Sequence, residues 1–466
     1  MSSRVPRITI GVALCCFGAS WLVIGDARSA DSAGLVSIKL NTLWRVEGGS
    51  PCVLTTDPMK QESSRRTNTL AYIAASANET NDTPLSGVLP LYSAAFDRAN
   101  PHQVSPPTLG YLWTKEAAYP GMTELVRAND SDAKIPKSSG SGFVVMTDAQ
   151  RGAQTLRGCV AGWGAGFAYR RHDVGEALVQ ITGGGVTVKS NSITGGAVWE
   201  WWWKGKEFIN DYDYGRQLVM AVYPETGQAI QEAGDRYGAV SVPLYARHPA
   251  PTLYVKNLAG NRQSTRAIPI EWDPDSHGGG KDHAVIYANV KIGKDLTLNW
   301  RGPDDVDRQW PVVLYESKYE GPAFAVANVE APTAYLNPEF STYYKYDAKT
   351  DTLSEVVAKK TKVNISGGGA DGLILASGTG PDAIAMGIYK NDPNAGIVLY
   401  DDSGPSVGHY GPGFSKWGIV YRSAVSQQWS FRSWIVTDSV RNIQKDFHQL
   451  YIWGVTSRDV HTVLAK

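Results

Sequence analysis

The sequence predicts an all-β protein: a small N-terminal β-domain, then a large two-sheet sandwich closed by one C-terminal helix. Three observations carry this. Residues 31 to about 165 show short apolar runs broken by turn residues, without helical periodicity. From about residue 166 the strand pattern becomes regular, with no amphipathic helix between strands, which favours stacked sheets over alternating α and β layers. Helical spacing is clear only from Asp438 to Trp453, where Val440, Ile443, Phe447, Leu450 and Tyr451 fall near one face and Asp438 is placed to cap the N-terminus. The 466 residues suffice for two or three domains, and a hydrophobic content of 42% supplies their cores.

Residues 1–30 read as a secretion signal. Arg4 and Arg7 form its positive start, Ile8 to Gly25 is apolar, and Ala27-Arg28-Ser29 offers small residues for cleavage near Ser29 or Ala30. The competing reading is an uncleaved anchor, for which the run is short. The mature chain is therefore expected to be secreted or periplasmic, with no membrane contact after cleavage. Two cysteines then remain, Cys52 and Cys159, and an oxidising compartment favours their pairing over two buried thiols.

In residues 31–165 a faint repeat recurs at roughly 35–40 residues. Asn68 to Tyr72 is followed by Leu89 to Tyr92, Pro107 to Trp113 by Thr123 to Arg127, and Gly140 to Val145 by Gln154 to Gly158. Three such units suit a β-trefoil. The middle unit, Leu109-Gly110-Tyr111-Leu112-Trp113 with Gly121 and Glu124-Leu125-Val126-Arg127, resembles trefoil-like lectin repeats, with Glu124 where a proline is usual. The resemblance implies a lectin-like accessory domain. The alternative is an irregular β-domain that packs on its neighbour and binds nothing.

Residues 166–466 form the larger domain. Strand candidates are Glu176 to Ile181, Gly185 to Val188, Leu253 to Val255, Ala284 to Lys291, Leu296 to Trp300, Val312 to Tyr315, Ala323 to Val329, Leu373 to Ala376, Ala383 to Tyr389, Gly396 to Tyr400, Gly418 to Tyr421 and Gln428 to Ile435. Between the second and third lies Ala197 to Asn210. Read with period two, Trp199, Trp201 and Trp203 share one face of a strand and Val198, Glu200 and Trp202 the other. Lys204-Gly205-Lys206 then makes a tight turn, with Gly205 free to take positive φ, and Glu207 to Asn210 returns as the second strand of a hairpin.

Two clusters carry chemistry. Asp211, Tyr212, Asp213, Tyr214, Arg216 and Gln217 follow the hairpin, and flat rings beside carboxylates and a guanidinium suit a sugar. The second cluster, Glu271 to His283, holds four acids and two histidines around a glycine turn. Glu271 or Asp273 is a candidate general acid or base opposite Asp211 or Asp213. His277, His283 and Asp275 are metal-capable, but their spacing matches no strong metal motif and no metal is assigned. A solvated loop is the third reading. Lys+Arg and Asp+Glu balance at 45 each, so no basic field draws nucleic acid or membrane. Phosphate loops, dinucleotide fingerprints and nucleophile elbows are lacking, and no cofactor is expected.

The run from Gly195-Gly196 through Lys204-Gly205-Lys206-Glu207-Phe208-Ile209-Asn210-Asp211-Tyr212-Asp213-Tyr214-Gly215-Arg216-Gln217 resembles a pattern in secreted bacterial proteins of the galactose-mutarotase-like β-supersandwich type. Trp272-Asp273-Pro274 and Gly279-Gly280 echo a second segment, with Asp273 in place of the usual amide. Relatives of that fold include epimerases, glycoside hydrolases, polysaccharide lyases and domains without activity. The resemblance implies a β-supersandwich for residues 166–466 and a carbohydrate ligand.

Together these readings lead to a secreted carbohydrate-active protein acting on a polysaccharide or other glycan, with a glycoside hydrolase first and a non-catalytic glycan-binding or cell-envelope interaction protein second. Asp211, Asp213, Glu271, Asp273 and His277 are the candidate catalytic residues. Trp199, Trp201, Trp203, Arg216, Gln217 and Trp272 are the candidate sugar contacts.

Overall fold

Period-two alternation turns most of the described chain into strands. The computed structural model describes residues 37–47, 53–55, 66–74, 77–78, 85, 88–92, 108–113, 122–129, 143–147 and 160–170. It also describes 178–458 except 193, 211–216, 225–228, 235–249, 273–283, 307–308, 358–361, 365–369, 403–412 and 426. The signal segment, Cys52 and Cys159 lie outside the described residues.

The N-terminal strands are β1 (Ser37–Glu47), β2 (Val53–Thr55), β3 (Arg66–Ala74), β4 (Val88–Tyr92), β5 (Thr108–Trp113), β6 (Met122–Asn129), β7 (Phe143–Thr147) and β8 (Val160–Arg170). The tryptophan hairpin and its neighbours are β9 (Leu178–Gly183), β10 (Val186–Asn191), β11 (Ala197–Trp203) and β12 (Lys206–Glu207). Next come β13 (Val219–Pro224), β14 (Ile230–Gln231), β15 (Thr252–Ala259), β16 (Arg262–Ala267), β17 (Ile270–Glu271), β18 (Ala284–Tyr287), β19 (Lys291–Thr297), β20 (Val312–Glu320) and β21 (Phe324–Leu336). The last are β22 (Thr342–Asp347), β23 (Thr352–Val356), β24 (Lys362–Asn364), β25 (Ala370–Ala376), β26 (Ile384–Asn391), β27 (Ala395–Asp402), β28 (Phe414–Val425) and β29 (Gln428–Ser439), before helix α1 (Val440–Ile452).

These strands make three antiparallel sheets. The first runs β24-β27-β28-β21-β13-β14-β17-β18 and continues through β1, which pairs with β18 from Ser37 opposite Tyr287 to Leu40 opposite Ala284. The N-terminal strands thus extend one sheet of the sandwich. The second is the four-stranded β12-β11-β10-β9, and the third the nine-stranded β15-β16-β19-β20-β29-β26-β25-β22-β23. One apolar core lies between them, drawing on Trp201 and Val188 from the second sheet, Met220, Val329 and Trp417 from the first, and Tyr315, Leu375 and Phe431 from the third.

The hairpin forms as expected: Lys204 and Gly205 turn at φ 48° and 76°. The strand expected at Leu296–Trp300 is instead the end of β19, because Asn299 takes φ 52° and breaks the extended backbone. Helix α1 packs on the outer face of the third sheet and buries Val440, Ile443, Phe447 and Leu450. Glycines in the sheet below make its seat. A Cβ at Gly387 would meet Ile443 and Phe447 at 2.5 and 2.6 Å, and one at Gly372 would meet Phe447 at 2.5 Å. Two details depart from expectation. The residue at the N-cap is Ser439, while Asp438 accepts hydrogen bonds from the Ser439 amide and from Asn442. Tyr451 lies past the buried stripe and is exposed.

A buried ion pair lies deep between the sheets. Lys294 on β19 and Glu232, which follows β14, are both fully buried. The Lys294 ammonium donates to Glu232 Oε1 at 2.8 Å and to the Gly196 carbonyl at 2.7 Å, and Glu232 Oε1 also accepts the Met220 amide. Burial pulls the Lys294 ammonium below its usual range, and the Glu232 charge opposes that pull. Tyr315 lies beside Glu232 and is held far above the usual phenol range, first by burial and then by that carboxylate.

Removing one partner of a buried pair typically costs about 3–5 kcal/mol. Lys294→Met is therefore expected to lower the urea midpoint sharply, and adding Glu232→Gln to restore part of the loss. Equal midpoints for single and double variants would show that the pair is not coupled. A second expectation concerns alkaline pH. Burial raises the phenols of Tyr315 and Tyr319, so they keep their protons when the unfolded chain loses them near pH ~10. That stability is complete below about pH 10 and declines as pH rises further. Thermal melts from pH 9 to 11 should show a shallower decline for Tyr315→Phe than for the unaltered protein.

Candidate functional site

The hairpin tryptophans divide between core and surface. Trp201 and Trp203 point into the core and are 0% and 5% exposed, so they cannot serve as sugar platforms. Their face carries Val188 and Ile181 across the sheet, and the apolar side of β11 is drawn inward as a unit. The Lys204 ammonium covers the Trp203 ring at 4.2 Å. Trp199 is half-buried, and the exposed ring of the strand is Trp202.

Glu271 is also turned inward. It pairs with Ile230 on the face that looks into the core, is fully buried and accepts a 2.6 Å hydrogen bond from the Tyr287 hydroxyl. Burial, with the Glu271 charge behind it, drives the Tyr287 phenol far up. A carboxylate so placed cannot meet a sugar at the surface, which removes Glu271 from the proposed acid pair. Gln217 is buried, and Trp272 is half-buried with its amide on the Ala229 carbonyl. Asp211, Asp213, Arg216, Asp273 and His277 lie outside the described residues. Among the described residues no group of three metal-capable side chains occurs.

The structure brings forward residues that sequence reasoning missed. On the first sheet Val329, Ala331, Ala334 and Leu336 of β21 face the core. The other face of β21 therefore carries Asn328, Glu330, Thr333 and Tyr335. A register shift between Glu330 and Thr333 keeps both on that outer face. Glu330 is 3% exposed and Lys416 on β28 is 7% exposed. Their charges meet at 3.3 Å, and the Tyr223 hydroxyl of β13 reaches Glu330 Oε1 at 3.4 Å. Gly418 stands between Lys416 and Val420 on this face. A Cβ there would meet the Thr333 hydroxyl at 3.2 Å.

An aromatic row borders this pair. Tyr335, Lys416 and Tyr400 are cross-strand neighbours. The Lys416 ammonium sits 5.2 Å from the Tyr335 ring centre, and Phe414 lies 5.1 Å from Tyr335 and 6.0 Å from Tyr400. At the other end Tyr223 and Arg422 flank Asn328. The strip between the aromatic and polar borders, the trough, carries Ala221, Val420 and Gly396 beside Glu330 and Gly418 and Val398 beside Thr333, and its Glu330, Thr333 and Lys416 are buried.

Both sequence clusters leave the chain at the edges of this trough. Before residues 211–216, the Asn210 amide donates to the Tyr335 carbonyl at 2.8 Å and its side chain to Gly413. Residues 273–283 follow Trp272, beyond the paired ends of β14 and β17. Because β13 and β17 run parallel across β14, the two departures lie at opposite ends of the strands, roughly 20 Å apart for the six residues from Gln217 to Tyr223. Glu330 lies between them.

Comparison with known proteins adds little. No family model matches the chain, and no curated protein matches it. Similar solved structures include a 4-alpha-glucanotransferase from Thermococcus litoralis, at 9% identity and a TM-score of 0.33, over 57% of this chain and 38% of that one. They also include a galactose mutarotase-like protein from Lactobacillus casei, at 6% identity and 0.31, over 56% and 99%. A third is a heparan sulfate lyase from Pedobacter heparinus, at 10% and 0.24, over 55% and 33%. The chain thus spans well under half of the glucanotransferase. At scores this low the likenesses assign neither a family nor an activity.

Proposed function

We propose that the chain is a secreted or periplasmic carbohydrate-active protein that holds a glycan in the trough on the outer face of the first sheet, and that it cleaves glycosidic bonds there. The observation that carries this reading is the Glu330–Lys416–Tyr223 cluster. A nearly buried ion pair on a sheet face turned away from the core is costly to keep, and such clusters concentrate at functional sites. Glu330 is the group to exchange a proton with the glycosidic oxygen. Lys416 meets both of its oxygens and Tyr223 donates to Oε1. Tyr400, half-buried, offers a ring face at the trough's edge. Asp211 or Asp213 is the proposed partner acid, because their run starts from Asn210 beside Tyr335.

A non-catalytic glycan binder is the second reading. The inward turn of Glu271 favours it, since it deprives the opposite end of the trough of one expected acid.

The deciding measurement is incubation of the mature chain with a panel of polysaccharides, with products read by mass spectrometry. Fragments that have gained water are expected, and Glu330→Gln should cut their release by about 10²–10⁴ while affinity persists. Fragments that have lost water would make the protein a lyase. Turnover by Glu330→Gln at the unaltered rate would remove Glu330 from the chemistry. Retention on a polymer without any fragments would establish the binder.

A further inference from the structure

The outer face of the β9–β12 sheet carries a second arrangement, remote in sequence from Glu330. Register places Trp202, Thr187 and Thr182 side by side on three strands, and Glu200, Lys189 and Gln180 side by side in the next row. At about 4.8 Å between strands each row spans roughly 10 Å, and the rows stand about 6.8 Å apart. Trp202 is 36% exposed, while Trp201 and Trp203 on either side are buried and anchor the strand. The Trp202 indole is also fixed in place. Its Nε1 donates to Glu200 Oε2 at 2.7 Å, and the same oxygen meets the Lys189 ammonium at 2.6 Å. An exposed ring held by a hydrogen bond loses little freedom when something stacks on it.

The chemistry of this face selects its ligand. One indole among hydroxyls, an amide and an ion pair is too little apolar surface for a protein partner or a lipid. Lys189 is already neutralised by Glu200, so the face offers no net charge to a nucleic acid or an anionic polymer. A neutral pyranose fits: an apolar ring face for the indole and hydroxyls for the surrounding polar groups. We propose that this face is a second glycan-binding surface, with Trp202 as its platform and Glu200, Lys189, Thr187 and Thr182 as its hydrogen-bonding border. It stands apart from the Glu330 trough and does not depend on whether Glu330 is catalytic.

Affinity electrophoresis of the full mature chain through gels containing neutral polysaccharides (glucans, xylan, mannan), with alginate as an anionic control, tests the proposal. At least one neutral polymer is expected to slow the unaltered protein. Trp202→Ala should weaken that retardation by roughly tenfold, with an unchanged urea midpoint, and Trp202→Phe should retain part of it. Tyr451→Ala, which removes an exposed ring on the far-side helix, should migrate as the unaltered protein does, so that loss of an exposed aromatic alone does not account for the effect. Equal retardation of Trp202→Ala and the unaltered chain by every polymer would overturn the proposal. So would retardation by alginate alone, by no polymer, or its equal loss in Tyr451→Ala and Trp202→Ala.

Discussion

One buried ion pair joins all three sheets at a point. Glu232 leaves the first sheet just after β14, Lys294 rises from β19 of the third, and the Gly196 carbonyl belongs to the approach to β11 of the second. Apolar contacts between sheets tolerate sliding, because they depend on area more than on direction. An ammonium shared between a carboxylate and a carbonyl does not, since both acceptors must lie within hydrogen-bond reach of one nitrogen. The pair thereby sets how far the tryptophan hairpin sits from the two larger sheets. The close approach also needs glycine: a Cβ at Gly195 would lie 1.7 Å from the Glu232 carbonyl oxygen, and one at Gly196 would lie 2.7 Å from Thr265 Cβ of the third sheet.

Much of the architecture was legible because its signals are local. Alternation marked β11, the turn at Lys204-Gly205 was visible in composition, and the helix announced its buried stripe at helical spacing. The sidedness of β11 was legible too, in a way that pointed opposite to the expected sugar platforms. Trp202 shares its face with Glu200, and a face that carries a charge is the one left to water, so Trp201 and Trp203 had to be the core. Glu271 was misread because its orientation depends on register. Standing opposite Ile230 sends it inward, and pairing is decided by strands far away in sequence.

The Glu330–Lys416 pair shows why sites on sheet faces hide from sequence reading. Its members are 86 residues apart and come from strands made neighbours only by the sheet's order. The one local sign was a lone acid in the long apolar run of β21, next to a proline and at the point where the register shifts. By contrast the acid-rich runs at Asp211 and Glu271 drew notice through composition. What they share with Glu330 is position: the stretches they begin leave from opposite ends of the strands that floor its trough.

The place of β29 in the third sheet bears on how the chain is made. β29 lies between β20 and β26 and so joins two halves, residues 252–320 and residues 342–391, that touch nowhere else along the sheet. It is also made after every other described strand. Until it arrives, β20 and β26 are bare edges with unpaired backbone groups, open to other chains. A chain cut short before Gln428 keeps both edges and loses the helix that covers the outer face. The third sheet therefore cannot join its two halves before β29 is made, however early the other strands pair.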